Sequence, residues 1–354
     1  MYRHSGIGRY LRTLLPPLLP LLQADHLRIL APREILGNPA WLQGPRIEFV
    51  ETPAAIYSIQ EQLLSLSGAY RSTDLLWVPH YNAPLRYTGK MVVTFHDVAP
   101  LAMPQLLGNA LKRAYARLLI ERAAQQAAAI LCVSAFTRDE LATRLHVPAE
   151  KMTVTHPGLE ADWPETASPH FEPDGVPYLL YVGNVKPNKN LGTLLRAFAT
   201  VLDRLPHRLL LAGKMRGFGT GDDAVIQQAE AMGDGVRFTG EIDDAHLQRL
   251  YAGATALVLP SLYEGFGLPL LEAMSLGCPI LSSSAGSLPE VAGPAALYFD
   301  PHSTIQLAEC LLAVQDTATM QNLRAQGRAR VHEFSRHRCA ERTAAVINRT
   351  LRQP

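Results

Sequence analysis

A chain of 354 residues exceeds what one ordinary hydrophobic core organises, so two domains of about 150 to 200 residues are expected. Lys and Arg number 33 against 32 Asp and Glu, which lacks the basic excess of a nucleic-acid binder, and the 47% apolar composition is that of a folded globular protein. No segment approaches the ~20 apolar residues of a membrane span, because Leu14–Leu22 is broken by Pro16, Pro17 and Pro20; with no signal-peptide cleavage pattern either, a cytoplasmic location is expected.

The chain opens on His4-Ser5-Gly6-Ile7-Gly8-Arg9-Tyr10, a glycine turn leading into a helix. Short apolar runs predict strands at Leu27–Ala31, Ile47–Val50, Leu75–Val78, Met91–Phe95, Ile130–Val133 and Met152–Thr155, with a long amphipathic helix over Leu106–Gln126. From Asp162 to Asp174 the sequence turns rich in Pro, Glu and Asp without periodicity and reads as a linker. Beyond it, strands are expected at Tyr178–Val182, Arg208–Ala212, Val236–Phe238, Thr255–Leu259, Pro279–Ser282 and Ala295–Phe299. Helix-length segments separate them, the first from Leu191 to Leu205. Continuous apolar runs bounded by Gly or Pro are strands buried on both faces, and their alternation with helices predicts parallel α/β sheets. Such sheets bind ligands at the C-terminal ends of their strands. The four cysteines, Cys132, Cys278, Cys310 and Cys339, have no C-x-x-C spacing and read as plain reduced thiols.

Three segments at strand ends carry chemistry. Pro260-Ser-Leu-Tyr-Glu264-Gly265-Phe266-Gly267-Leu268-Pro269-Leu-Leu-Glu272 turns through two glycines into a helix whose first turn tolerates Pro269. The free N–H groups of that helix start suit a diphosphate, and Gly265 and Gly267 let the backbone approach it. Glu272, one turn in, offers two oxygens to a ribose, while Glu264 faces the sugar beyond the phosphates. Tyr181-Val-Gly183-Asn184-Val-Lys186-Pro187-Asn188-Lys189-Asn190 likewise leaves a strand for a helix; Lys189, with Lys186 beside it, neutralises a departing phosphate. Val93-Thr-Phe95-His96-Asp97 presents an imidazole at a strand end, with Asp97 orienting the loop or capping a turn.

Weaker signals stay open. Gly6 and Gly8 either bring backbone N–H groups to the donor or form a plain turn. The hydroxyls of Ser282–Ser287 either close over the diphosphate or serve the loop. Gly217–Gly221 lacks dinucleotide-fingerprint spacing and reads as a loop. No Asp-x-Asp triplet is present, and Asp243 of Glu241-Ile-Asp243 reads as a helix cap, so no metal ion or other cofactor is expected.

Together these motifs resemble glycosyltransferase family 4, retaining enzymes of GT-B architecture. The resemblance spans nearly the whole chain, from Gly6-Ile-Gly-Arg-Tyr through Thr94-Phe-His-Asp, Val133-Ser-Ala-Phe-Thr-Arg and His156-Pro-Gly to Pro289-Glu-Val. Glu264 and Glu272 match the family's Glu-x7-Glu motif. The resemblance implies two Rossmann-like domains facing across a cleft: residues 1–165 for the acceptor and 175–335 for the nucleotide-sugar donor. It also implies that residues 336–354 hold a last helix, about Arg338–Leu351, crossing back onto the first domain. By the same resemblance Glu264 contacts the donor sugar, Glu272 the ribose and Lys189 the diphosphate, and His96 lies beside the donor sugar. Asn184, Lys186, Gly6, Gly8 and the Gly265-Phe266-Gly267-Leu268 turn complete the donor set. Two departures stand out. Asn184 occupies a position where many members carry Arg, and the family's first strand has no residues here, which predicts a misplaced start or a truncated chain.

The Gly183-Asn-Val-Lys-Pro-Asn-Lys segment is similar to bacterial mannosyl- and rhamnosyltransferases of surface polysaccharide assembly. This points to GDP-mannose as donor, with a UDP-sugar as the other choice, and to a glycan or lipid-linked acceptor. Lys112, Arg113, Arg117 and Arg122 along one helix either attract anionic lipid at the inner membrane face or are simply solvated. A sugar-nucleotide epimerase of similar architecture and a catalytically silent binding subunit are the alternatives.

Overall fold

The structure, a computed structural model, describes residues 6–31, 42, 44–52, 62, 70, 73–172, 174–215 and 222–353. His4 and Ser5 of the opening motif and the Gly217–Gly221 loop lie outside the described residues. The chain forms two compact units, Met1–Ala161 with Phe334–Pro354, and Asp162–Glu333.

In the first unit α1 (Gly6–Leu18) buries Tyr10, Leu14 and Leu18, one residue per turn on a single face. β1 (Leu27–Ala31) and β2 (Ile47–Glu51) pair in parallel as a two-stranded sheet. A second parallel sheet has the order β3 (Leu76–Val78), β4 (Met91–Phe95), β5 (Ala129–Cys132), β6 (Met152–Val154). Every residue of β4 and β5 is buried, as expected of strands covered on both faces. The short α2 (Ala99–Ala102) follows Asp97, whose Oδ1 accepts the Ala99 N–H at 2.8 Å, the turn-capping role expected of it. The long helix is shorter than its apolar pattern predicts. α3 (Ala110–Gln126) starts only where Asn109 Oδ1 accepts the Lys112 N–H at 2.8 Å, and Pro104–Leu106 forms a separate turn. α4 (Ala135–Leu145) is capped by Ser134, and the Thr137 hydroxyl donates to the His96 carbonyl at 3.3 Å, fixing the end of β4.

The second unit is one six-stranded parallel sheet with helices between the strands. In chain order it runs β7 (Tyr178–Val182), α5 (Leu191–Val201), β8 (Arg208–Ala212), α6 (Asp223–Ala231), β9 (Val236–Gly240), α7 (Asp244–Gly253), β10 (Ala256–Leu259), α8 (Leu268–Ser275), β11 (Ile280–Ser283), α9 (Leu288–Ala292), β12 (Ala296–Phe299), α10 (Thr304–Ala313) and α11 (Thr317–Val331). The spatial order β12-β11-β10-β7-β8-β9 is that of a doubly wound Rossmann-like sheet, whose direction of growth reverses between β7 and β10. Leu179, Tyr181, Leu194, Phe198, Leu211 and Val258 form its core. Asp243 caps α7, as its place in the sequence implies, by accepting the His246 N–H at 2.7 Å. α5 stops at Val201 rather than Leu205, because Leu205 precedes Pro206 and is pushed away from helical geometry. β11 starts one residue late, since Pro279 has no N–H for the ladder and serves only by accepting from Leu257 N at 2.8 Å.

The segment expected to be a linker is instead fastened to the second unit. His170 N donates to the Arg249 carbonyl at 2.9 Å, and buried Glu172 accepts from Arg237 Nη1 at 2.8 Å and Arg208 Nη1 at 3.4 Å. Two of its acids, Glu172 and Asp174, pair with arginines at the starts of β8 and β9.

The last helix, α12 (Arg336–Arg352), belongs to the first unit and packs on α1, the return crossing that the resemblance implies. Asn348 bridges it to the chain just past that helix, accepting from Gln23 N at 2.9 Å and donating to the Leu21 carbonyl at 3.0 Å. The return passes directly over Gly158, where a Cβ would lie 2.3 Å from Arg336 N and 2.9 Å from the Ser335 carbonyl carbon. Both atoms are backbone and cannot step aside. Gly158→Ala is therefore expected to destabilise the first unit by about 1–3 kcal/mol, the usual cost of overpacking, and to lower its melting temperature by several degrees in a thermal unfolding measurement.

Candidate active site

Where strand order reverses, neighbouring strands send their following helices to opposite faces and leave a crevice at their C-terminal ends. The loops leaving β7 and β10 meet here. Leu262 N donates to the Asn188 carbonyl at 2.8 Å, and Asn188 Nδ2 reaches the Tyr263 carbonyl at 3.4 Å. Asn190 adopts a left-handed conformation (φ 56°) and donates from Nδ2 to the carbonyls of Pro260 at 3.0 Å and Pro301 at 2.8 Å. These clamps bring Lys189 Nζ to 2.5 Å from Glu264 Oε1, which also accepts the Ser261 hydroxyl at 2.7 Å. Two residues that the sequence marks separately thus form a partly buried ion pair.

α8 begins at Leu268 with Pro269 in its first turn, as the sequence predicts. Gly267 precedes it at φ 97°, where a Cβ would also meet Leu288 Cδ2 at 2.8 Å. Glu272 is 3% exposed, and its Oε2 accepts the Tyr251 hydroxyl at 2.9 Å; it is not the solvated helix charge that an isolated reading allows. Gly265 and Phe266 are buried and Leu268 half-buried in the turn between the two acids.

The hydroxyls of the serines at the end of β11 and just beyond it are committed to backbone carbonyls. The Ser283 hydroxyl donates to the Ser261 carbonyl at 2.6 Å, Ser287 Oγ to the Glu264 carbonyl at 3.0 Å and Ser282 Oγ to the Ser283 carbonyl at 3.0 Å. Buried hydroxyls must find acceptors, and the carbonyls of the Glu264 loop are the nearest. Gly286 (φ 62°) allows this approach, since a Cβ there would lie 2.6 Å from the Glu264 carbonyl oxygen. Asn184 also holds backbone in place. Its Oδ1 accepts the Lys214 N–H at 3.1 Å, tying the β7 loop to the β8 loop, while Lys186 stands half-buried just before the Pro187–Lys189 turn.

His96, Gly6 and Gly8 lie in the first unit. Gly6 and Gly8 are already helical residues of α1, not a turn ahead of it; Gly8 is buried and Gly6 exposed. His96 Nε2 is 2.9 Å from the Pro79 carbonyl, which can only accept, so Nε2 carries the proton. Burial lowers the pKa of the ring to about 4, against the opposing pull of that hydrogen bond, so the neutral form with an unprotonated Nδ1 prevails at neutral pH. Burial and the neighbouring His96 lower His80 further, to about 3. The thiols of Cys132, Cys278 and Cys339 are pushed up to about 12, chiefly by burial, which suits inert packing thiols.

Sequence reasoning did not single out Asn190, Ser261 or Gly286. Asn190 is visible only as a residue ahead of a helix, whereas its acceptors lie 70 and 111 positions away.

The chain is similar to known proteins over most of its length. Residues 176–316 match the family model "Glycosyl transferases group 1" and residues 54–163 match "Glycosyltransferase Family 4". O-antigen chain mannosyltransferase B of Escherichia coli is 34% identical over 278 residues, covering 75% of this chain and 71% of that protein. Among solved structures, sucrose-phosphate synthase from Thermosynechococcus elongatus superposes with a TM-score of 0.76 at 21% identity, covering 98% of this chain and 93% of that one. Anabaena HepE, in complex with UDP and glucose, gives 0.72 at 16% identity, covering 98% and 96%. Fold and family define a glycosyltransferase of GT-B architecture. The chain belongs to glycosyltransferase family 4.

Because folded His96 and His80 resist protonation while the unfolded chain protonates near 6.5, the unfolded state binds more protons between about pH 6.5 and 4. Stability of the first unit is therefore fully present above that window and falls as pH drops through it. His96→Gln should flatten this acid dependence, as read by urea unfolding at pH 7 and pH 5.

Proposed function

We propose that this enzyme transfers a hexose, with retention of anomeric configuration, from a nucleoside diphosphate donor to a glycan or lipid-linked acceptor in polysaccharide assembly. Mannose from GDP-mannose is the leading donor, in keeping with the mannosyltransferase named among its relatives. The observation that carries the reading is the Lys189–Glu264 pair at the reversal of the sheet, with buried Glu272 about one turn into the helix that follows.

In this reading the diphosphate lies at the start of α8, where the positive end of the helix dipole favours negative charge. Lys189 neutralises the charge that grows as the sugar–phosphate bond breaks, with Lys186 nearby. Glu264 accepts from hydroxyls of the donor sugar, Glu272 from the ribose, and neutral His96 accepts from the sugar through Nδ1. Gly6 and Gly8 at the start of α1 and the Gly265–Leu268 turn shape the donor's surroundings. The acceptor hydroxyl attacks from the face the diphosphate leaves, and the diphosphate takes its proton, so the protein's work is positioning and charge stabilisation. Lys189 and the helix start carry that charge without a divalent metal.

Transfer from GDP-mannose, unaffected by EDTA and lowered about 10²-fold or more by Lys189→Ala, is the expected result. Thermal-shift measurement should show a higher melting temperature with GDP than with UDP. Near-normal transfer by the Lys189 variant, or no response to either nucleotide, would overturn the assignment.

A lipid-linked acceptor calls for contact with a membrane surface. No helix among the described residues is long and apolar enough to cross one. On α3, however, Leu111 and Leu118 are 79% and 46% exposed, two turns apart on one face, and Lys112, Arg113, Arg117 and Arg122 surround them. Such a surface suits the interface of an anionic bilayer. The protein should sediment with phosphatidylglycerol-containing vesicles, less so in high salt, and the double change Leu111→Ser, Leu118→Ser should abolish the effect; sedimentation indifferent to both would remove the membrane contact.

A further inference from the structure

We propose that Tyr251 is a positioning residue for donor recognition, holding Glu272 in the fixed orientation that accepts the donor's ribose hydroxyls, and that Trp163 braces it. The inference rests on the reading of Glu272 given above and adds the residues that make that carboxylate competent.

Tyr251 lies on α7 with no exposed surface, and its hydroxyl donates to Glu272 Oε2 at 2.9 Å. A carboxylate 3% exposed has lost most of its hydration, and protein donors must replace it. A phenol also anchors one oxygen in space, which fixes the plane of the carboxylate and hence where its second oxygen stands. Glu272 thereby presents acceptors in a set direction, the arrangement that two neighbouring hydroxyls on one sugar require.

A second arm holds the backbone of the same residue. Trp163 Nε1 donates to Ser275 Oγ at 2.8 Å, and Ser275 Oγ donates to the Glu272 carbonyl at 2.8 Å. The indole closes the circuit by packing edge-on against the Tyr251 ring, with centroids 6.2 Å apart and planes at 69°. Trp163 lies just past the boundary between the units, in the segment whose composition reads as linker. Side chain and main chain of Glu272 are thus gripped separately, and both grips converge on Trp163. Hydrophobic burial alone would place a Phe as well as a Tyr at position 251, so the hydroxyl is what needs explaining.

Tyr251→Phe keeps the ring and removes only that hydroxyl. Binding of GDP and of 2′,3′-dideoxy-GDP should be measured for both proteins by titration calorimetry. The native protein should prefer GDP. Tyr251→Phe should bind GDP about tenfold more weakly yet bind the dideoxy analogue within about twofold of normal, since a lost hydrogen bond to a charged group is of that size. In turnover the variant should raise donor KM while leaving kcat nearly unchanged. Trp163→Phe, which retains an aromatic ring, and Ser275→Ala should each give a weaker form of the same selective loss, and they carry the test should Tyr251→Phe fail to fold. Equal weakening of both ligands, or full retention of the preference for GDP in all three variants, would overturn the proposal while leaving the donor site intact. A native protein that binds GDP and its dideoxy analogue equally, or that binds neither GDP nor UDP, would instead remove the ribose assignment beneath it, and the proposal with it.

Discussion

The ion pair of Lys189 with Glu264 is the contact on which the crevice of the second unit is centred. It joins two loops whose residues are 75 positions apart, and it exists because a parallel sheet reverses its order between β7 and β10. Bringing opposite charges into a partly dry crevice costs desolvation, and their mutual attraction roughly offsets that cost. The pair is therefore poor glue. What holds the loops is the amide lacing around it: Asn188 to Tyr263, and Asn190 to Pro260 and Pro301. The lacing leaves a cation and an anion side by side where the strands end, and it is the lacing rather than the ion pair that stabilises the loops.

Around this pair the fold satisfies its buried polar groups one by one. Ser283 at the end of β11 and Ser287 beyond it donate to the backbone of the Glu264 loop, and a glycine at 286 lets that backbone come close. The left-handed Gly267 starts α8 at the angle that sends Glu272 inward to meet Tyr251. Each of these residues works through its neighbour. The two acids of the Glu-x7-Glu motif are consequently held in different ways: Glu264 by charge at the loop, Glu272 by a phenol within the helix layer.

The first unit shows a related economy. Its C-terminal helix arrives from the far end of the sequence, crosses Gly158 and is tied down on α1 by Asn348. His96 stands at the end of β4 with its proton committed to Pro79, and the start of α4 fixes its backbone. Its neutrality follows from burial.

Much of this was legible in the chain. Period and punctuation identify buried parallel strands, because residues covered on both faces must be apolar throughout and the connections must turn; Tyr178–Val182, Arg208–Ala212 and Met91–Phe95 match their predicted bounds. The acids, the glycines and Lys189 could be read at strand ends because their chemistry has little use elsewhere. Composition misjudged Asp162–Asp174, since Glu172 looks solvated until the arginines of two strands are folded around it. It also left the serine hydroxyls undecided, and gave no sign of Asn190 or of the Trp163–Tyr251–Ser275 brace. The sequence determined which residues carry charge, which must be buried and where the chain must turn, since these are properties of a residue and its near neighbours. Only the tertiary structure decided which charge meets which and which hydroxyl is already committed, because those partners are separated by tens to hundreds of residues and are brought together by strand order alone.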